Sequence, residues 1–196
     1  MAWFTIFLKI FFLLTPFFVI SSFISMTAEY SPARRRITAL KMTLAIIIVC
    51  LVLFWFGTVL FGIFGITLNS FRIGTGALLM LSAVSLVRGS PDARGDKDGE
   101  ISVVPLAIPI AVGPGTIGAL MVLSAEPVLI SEKILSLSAV AAAGLLTGLL
   151  CLLSELVRRV LGVTGLAVLS KLTGLVIAAI AAQLVVAGIK GSFGIS

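Results

Sequence analysis

An apolar segment interrupted by prolines and glycines lies near the middle of this 196-residue chain. No charged residue falls between Ile101 and Ser124, yet the run 104–117 (VPLAIPIAVGPGTI) holds three prolines and two glycines. A segment this long and apolar fits a membrane-spanning helix, but proline lacks a backbone donor and clashes with the preceding turn. The segment therefore predicts either a simple proline kink or a helix broken inside the membrane, where transporters build substrate sites.

The remaining chain is as apolar as this segment. Hydrophobic residues make up 60% of it and charged residues 11%, a balance that no soluble globular domain has. The apolar stretches do not alternate at period two as outer-membrane strands do. The sequence therefore predicts an all-α polytopic membrane protein, with residues 1–196 as a single membrane domain in the lipid bilayer. The six predicted spans are residues 3–28, 37–64, 68–87, 101–124, 134–156 and 166–189.

The basic residues predict the orientation of these spans. Ten of the 14 Lys and Arg residues follow the first, third and fifth spans, and this side is expected to face the cytoplasm. Both termini are then predicted to be external. The net charge of +6 is divided among several loops without interleaved aromatic residues, so no nucleic acid partner is expected.

The polar residue types argue against an enzyme. The chain contains no His, and its two Cys residues, Cys50 and Cys151, lie in separate apolar spans. This excludes His-based catalytic triads and His-containing metal sites. No Walker loop is present either. The sequence therefore predicts no catalytic residues, no metal and no cofactor.

The two halves of the chain share landmarks at a spacing of about 98 residues. This shift places Pro16 on Pro114 and Gly76 on Gly174. Residues 1–88 and 101–191 are accordingly interpreted as two three-helix repeats, joined by the hydrophilic cytoplasmic linker 89–100. Because each repeat has an odd number of helices, the second enters the membrane inverted, as in many transporters.

Matching helix breaks in the first and fourth spans would meet near the middle of the membrane. A half-helix that starts at Pro16 or Pro114 has free N–H groups and a positive dipole end, which attract a carboxylate. Carbonyls freed before each break could accept hydrogen bonds from an ammonium group, so the pattern favours an amino-acid-like solute. The predicted substrate-binding residues are Thr15, Pro16, Phe18, Ser21, Gly113, Pro114, Gly115 and Thr116.

At these residues the chain resembles the MarC family of inner-membrane proteins. The resemblance is carried by residues 104–117, by residues 64–73 (FGITLNSFRI) with Gly76, and by residues 164–174 continuing to Gly191. It implies six helices, external termini and, for some members, transport of small neutral amino acids such as glycine, alanine or serine. A secondary transporter working by alternating access is therefore expected. A proton is a candidate coupling ion, and the sequence assigns no residue to it.

The first helix departs from the pattern of this family. Members usually carry a stretch resembling Asn/Asp-Pro-x-Gly-Asn-x-Pro, whereas residues 15–21 here read TPFFVIS. Phe18 replaces a glycine and would block close approach of a ligand to the backbone. The alternative hypothesis is therefore a non-transporting structural or assembly protein that kept the fold and lost the first-helix site.

Charged residues near the ends of the spans receive local interpretations. Glu155 precedes Arg158 and Arg159 by three and four residues, which predicts an ion pair on one helix face. Arg72 opens the third span and is interpreted as an interface anchor or as an external contact for a carboxylate.

Overall fold

A computed structural model describes residues 2–89, 111–126 and 129–194, except for the side chains of residues 58 and 60. These ranges contain seven helices and no strand. Apart from Gly89, the predicted linker 89–100 lies outside the described residues, as does the first part of the fourth span, 101–110. The helices are α1 (Ala2–Leu13), α2 (Pro16–Met26), α3 (Pro32–Phe64), α4 (Leu68–Arg88), α5 (Pro114–Ala125), α6 (Ile130–Leu152) and α7 (Ser154–Phe193).

The helices have the length and surface of membrane-spanning segments. Five segments of the described chain can cross a bilayer by length and composition, and α5 is a shorter apolar helix of 12 residues. Large apolar side chains such as Trp55, Leu81 and Leu175 are 59–71% exposed, as expected for side chains that face lipid. The five segments are Ala2–Met26, Pro32–Gly57, Leu68–Arg88, Ile130–Leu152 and Ser154–Phe193.

The first span is broken where its proline predicts. Helix α1 ends at Leu13, and α2 begins at Pro16 after Thr15 adopts a left-handed conformation with φ of 47°. Helix α5 likewise begins at Pro114, after Gly113 in an extended conformation. Proline suits the first position of a helix because the N–H it lacks has no helical acceptor there. Both prolines therefore start a helix within an apolar segment.

The last two spans differ from their predicted boundaries. The fifth helix, predicted at 134–156, is Ile130–Leu152, and α7 starts at Ser154, twelve residues before the predicted sixth span. The chain is apolar through this turn, so hydropathy does not mark it. Within α7, Gly162 takes a non-helical conformation with φ of 66°, which favours glycine. The first eight residues of α7 therefore form a separate segment before the kink.

Helices α4 and α7 pack most extensively against each other, in antiparallel orientation. A methyl group on Gly76 would lie 2.7 Å from the carbonyl oxygen of Ala181, and one on Gly174 would lie 3.1 Å from that of Ala83. Small residues thus allow the two backbones to approach closely, as in other membrane helix pairs. The two contacts are reciprocal, because each of these residues is matched by the same residue type 98 positions away.

Candidate functional site

A hydrogen bond joins the two helix breaks. The Thr116 hydroxyl in the first turn of α5 donates to the carbonyl oxygen of Leu13, the last residue of α1, at 2.8 Å. A carbonyl at a helix end has no acceptor role left within its own helix. Both residues are buried, so leaving this oxygen unpaired would carry a desolvation cost. The break in the first span is therefore satisfied by a side chain from the second half of the chain.

A cavity of about 450 Å³ lies beside this hydrogen bond. Seven of the eight predicted site residues line it, whereas Pro16 is buried and is not part of the lining. The structure thus brings the two predicted breaks to one site. The seven residues are Thr15, Phe18, Ser21, Gly113, Pro114, Gly115 and Thr116.

Helices α4 and α7 contribute polar residues that the sequence analysis did not single out. Ser82 and Ser85 of α4, with Ser170 and Lys171 of α7, line the same cavity. The Ser82 hydroxyl donates to the carbonyl of Leu78 at 3.1 Å, in its own helix. The i, i+3 spacing of the two α4 serines was the available signal, since it places them on one helix face.

The cavity is rich in uncommitted hydroxyl groups. Within the described residues, the hydroxyls of Thr15, Ser21, Ser85 and Ser170 make no hydrogen bond. Thr15 lies at the first-span break, Ser21 on α2, Ser85 on α4 and Ser170 on α7. Hydroxyls both donate and accept hydrogen bonds, so this set can solvate either charged end of a small solute.

Two helix N-termini also point their free amides toward this region. The first helical hydrogen bonds run from Val19 N to Thr15 O and from Ile117 N to Gly113 O, both at 3.0 Å. Neither Thr15 nor Gly113 caps its helix with a side chain. The amides that precede Val19 and Ile117 therefore lack helical acceptors, and each helix presents the positive end of its dipole at the cavity.

Phe18 forms part of the wall without closing the cavity. Its side chain is half-buried, and the buried apolar side chains of Leu79 and Ile177 line the same cavity. The volume of about 450 Å³ remains with Phe18 in place and lies within the roughly 300–1,000 Å³ of small-molecule pockets. Phe18 thus narrows the site on the first-span side.

In the described part of the chain, two ion pairs link the helices, one at each end of the bundle. Arg72 at the start of α4 pairs with Glu126, just after α5, at 3.1 Å. Glu155 in the first turn of α7 pairs with Arg35 of α3, so the predicted pair with Arg158 and Arg159 is wrong. The turn at Leu153 begins a new helix at this point, which directs Glu155 toward α3 and away from its own helix.

The described lining residues offer no metal site and one charged group. No three His, Cys, Asp or Glu side chains come together among the described residues as metal ligands would. Lys171 is the one charged residue among the described lining residues, and it forms no ion pair with the described part of the chain.

Comparison with known proteins gives matches over nearly the whole chain. The family described as "MarC family integral membrane protein" matches residues 1–193. A UPF0056 membrane protein of Methanocaldococcus jannaschii is 34% identical over 194 residues, which cover 95% of each chain. The UPF0056 membrane protein YhcE of Escherichia coli is 32% identical over 201 residues, covering 98% of this chain and 94% of YhcE. No solved structure matches the chain.

Proposed function

Because the chain belongs to the MarC family of integral membrane proteins, we propose that it is a secondary transporter of small neutral amino acids in the inner membrane. The observation that carries this proposal is the cavity of about 450 Å³ to which both helix breaks contribute. In membrane proteins, irregular backbone at such depth is tolerated where it lines a cavity, and transporters use it to bind solutes. The solutes proposed are of the glycine, alanine or serine type.

The chemistry of the lining supports a small zwitterion. The two helix starts favour a carboxylate, and the free hydroxyls can accept hydrogen bonds from an ammonium group. The Leu13 carbonyl already accepts a hydrogen bond from Thr116. The ammonium group of a solute would therefore donate to the free hydroxyls and to other backbone oxygens. No carboxylate is found among the described lining residues to balance a second positive charge. The apolar walls at Leu79 and Ile177 suit a short uncharged side chain.

The reciprocal packing of α4 and α7 supports an inverted repeat. A shift of 98 residues places Gly76 on Gly174, Ala83 on Ala181 and Val87 on Val185. The same shift exchanges the two glycine contacts, since Gly76 meets Ala181 and Val185 whereas Gly174 meets Ala83 and Val87. This exchange is what a twofold axis in the membrane plane produces. Residues 1–88 and 101–191 are accordingly proposed as repeats that rock about the helix breaks.

Four charged residues suit a transporter that is closed at one end of the bundle and open at the other. The Arg72–Glu126 pair holds the start of α4 against the end of α5. Within one residue, the repeat places Lys171 at the position of Arg72 and Glu29 at that of Glu126. Both are exposed and form no ion pair in the described residues. Alternating access would form the Lys171–Glu29 pair as the Arg72–Glu126 pair opens.

The proposed orientation follows from the same two ends. Arg35 pairs with Glu155, so the α2–α3 and α6–α7 connections lie together, and basic residues follow both connections at the starts of α3 and α7. Trp3 donates to Ser138 at 2.9 Å, which places the start of α1 near the beginning of α6. With the basic connections in the cytoplasm, both termini and the Arg72–Glu126 pair face outward.

Uptake by proteoliposomes tests the proposal directly. Purified protein should accumulate labelled glycine, alanine or serine with saturation, measured with and without a proton gradient. Ser85→Phe fills the cavity and should reduce saturable uptake about tenfold or more, which corresponds to roughly 1.4 kcal/mol. Val84→Phe introduces the same ring on the adjacent exposed face of α4 and should leave uptake unchanged.

The alternative is a non-transporting structural or assembly protein. Phe18 in the wall of the cavity is the observation that favours it, because a large ring stands where the family pattern has a glycine. Folded, correctly oriented protein that shows no saturable uptake of the three amino acids would support this alternative. Equal uptake by the Ser85→Phe and Val84→Phe variants would instead show that solutes do not pass through this cavity.

A further inference from the structure

A second cavity, of about 240 Å³, lies where three helices end. It is bounded by the first turn of α3 and by the turn between α6 and α7. The apolar span Ile130–Leu152 ends there, and the span beginning at Pro32 starts there, so the cavity is at the level where the chain leaves the bilayer. Its lining residues are Pro32, Arg35, Arg36, Cys151, Leu152, Leu153, Glu155 and Leu156.

One wall of this cavity is basic and not fully satisfied. The Arg35 guanidinium pairs with Glu155 and donates from Nη2 to the carbonyl of Thr27 at 3.0 Å. Its Nε is buried, and no acceptor among the described residues reaches it. Arg36 is exposed and forms no hydrogen bond or ion pair with the described chain. Two guanidinium groups against one carboxylate leave a net positive charge.

Another part of the lining is apolar and exposed. Leu153 and Leu156 are 44% and 55% exposed at the junction of α6 and α7. Exposed leucines beside a basic cavity provide one surface for an acyl chain and another for an anionic group. A free inorganic anion would use only the basic wall. Arginine also recognises phosphate through paired N–H donors.

We propose that this cavity binds the phosphate headgroup of an anionic phospholipid, whose acyl chain lies along Leu153 and Leu156. Arg36 supplies the free guanidinium, and Arg35 is held in place for the same phosphate by Glu155 and Thr27. Basic pockets at the ends of membrane helices on the cytoplasmic side are suited to such headgroups. This site is independent of the proposed transport function.

Thermal melting of the purified protein in neutral detergent tests the proposal. Phosphatidylglycerol or cardiolipin should raise the Tm of the wild type by roughly 2–4 °C, whereas phosphatidylcholine and inorganic phosphate should not. Arg36→Gln should lose most of this increase. Arg34→Gln is the matched control, because Arg34 lies in the same helix turn, makes a cation–π contact with Tyr30 at 4.2 Å and does not line the cavity.

Three outcomes would overturn the proposal. Equal losses in Arg36→Gln and Arg34→Gln would show that overall charge, and not this cavity, attracts the lipid. An increase with inorganic phosphate as large as with phosphatidylglycerol would show a free-anion site. Leu156→Asn offers a second test that leaves the arginines intact, and it should weaken the response to the lipid. An unchanged response to the lipid in that variant would show that no acyl chain lies against Leu156.

Discussion

The Thr116 hydroxyl supplies the hydrogen bond that a carbonyl at the end of a broken helix lacks. A helix end inside a membrane leaves carbonyls without partners, and water is not available to replace them. The Thr116 hydroxyl donates to Leu13 O from an element more than 100 positions away. Among the described residues, most buried threonines instead donate to a carbonyl of their own helix, as Thr147 does to Ala143 at 2.9 Å. This long-range hydrogen bond therefore makes Thr116 a structural link between the two halves of the chain as well as a cavity residue.

Thr116→Val should destabilise the protein, because it keeps the shape of the side chain and removes the only described donor to Leu13 O. The expected loss is about 1–2 kcal/mol of unfolding free energy, measured by titration with SDS in mixed micelles. Thr116→Ser keeps the hydroxyl and should stay close to wild type. Thr147→Val serves as the comparison, since the carbonyl of Ala143 keeps its helical partner. A loss at Thr147 equal to that at Thr116 would contradict this view of Leu13.

Phe18 offers a second residue-scale prediction. Phe18→Gly opens the first-span side of the cavity, so binding of a small amino acid should become tighter if the ring obstructs the site. Binding of labelled alanine to detergent-purified protein measures this, and a gain of about threefold to tenfold is expected. Phe17→Gly removes a neighbouring ring that does not line the cavity and is the matched control. Unchanged binding in Phe18→Gly would mean that the ring does not limit access.

The site residues that could be predicted from the sequence are those that are unfavourable inside a helix, and their neighbours. Pro16, Pro114 and their neighbours stand out because proline and glycine are costly inside a helix. Ser85, Ser170 and Lys171 did not stand out, since serine in membrane helices usually bonds its own backbone. A lysine near a span end also reads as a topological signal. Only the packing of α4 against α7 shows that their side chains reach the same cavity.

At the scale of helices, close packing depends on which face each glycine occupies. Gly76 and Gly74 lie two residues apart on α4, but only Gly76 faces α7. A methyl group on Gly76 would lie 2.6 Å from Val185 Cγ2, whereas one on Gly74 would meet no atom within 4 Å. The same residue type therefore serves packing at one position and none at the other.

Gly76→Ala should separate α4 from α7 and lower the unfolding free energy by roughly 1–3 kcal/mol. Gly74→Ala should raise it by about 0.5–1 kcal/mol, because alanine is the better helix former. The same SDS titration compares the two variants. Two substitutions of equal sign and size would indicate that α4 does not pack on α7 through Gly76.

Helix boundaries were less predictable than helix breaks. Hydropathy located α3 and α4 to within a few residues, because Pro32, Gly65 and Gly89 mark their ends. The turn at Leu153 has no such residue, since leucines continue on both sides. Of the eight residues of α7 that precede Gly162, the first three fell within the predicted fifth span and the other five between the predicted fifth and sixth spans.

At the scale of the whole molecule, the proposed transport cycle makes the two charged pairs mutually exclusive. Cysteines at Arg72 and Glu126 should cross-link in the state described here, in a background lacking Cys50 and Cys151. Cysteines at Glu29 and Lys171 should cross-link only when the other end opens, so their yield should rise during turnover with substrate. Locking the first pair should lower the yield of the second by about tenfold. Simultaneous cross-linking of both pairs in one molecule would contradict alternating access between these ends.

A pair of cysteines at Glu29 and Lys190 controls for random collisions, because these residues lie near opposite ends of the bundle. Its yield should stay low in every condition. Accessibility of tags at the two termini tests the orientation separately, and both tags should be reached from outside the cell. A tag that is reached only from the cytoplasm would reverse the assignment of the two ends.

The main partner of α4 is α7, which the ribosome makes after α5 and α6. The small residues on α4 that contact α7 consequently lack their partner until α7 has been synthesised. Contacts this distant in sequence close late in folding. The first half of the chain therefore lies in the bilayer for some time while the face of α4 that contacts α7 is unpaired, and this makes it a target for quality-control proteases. A ribosome stalled before α7 should thus release a short-lived product, however well its earlier helices are inserted.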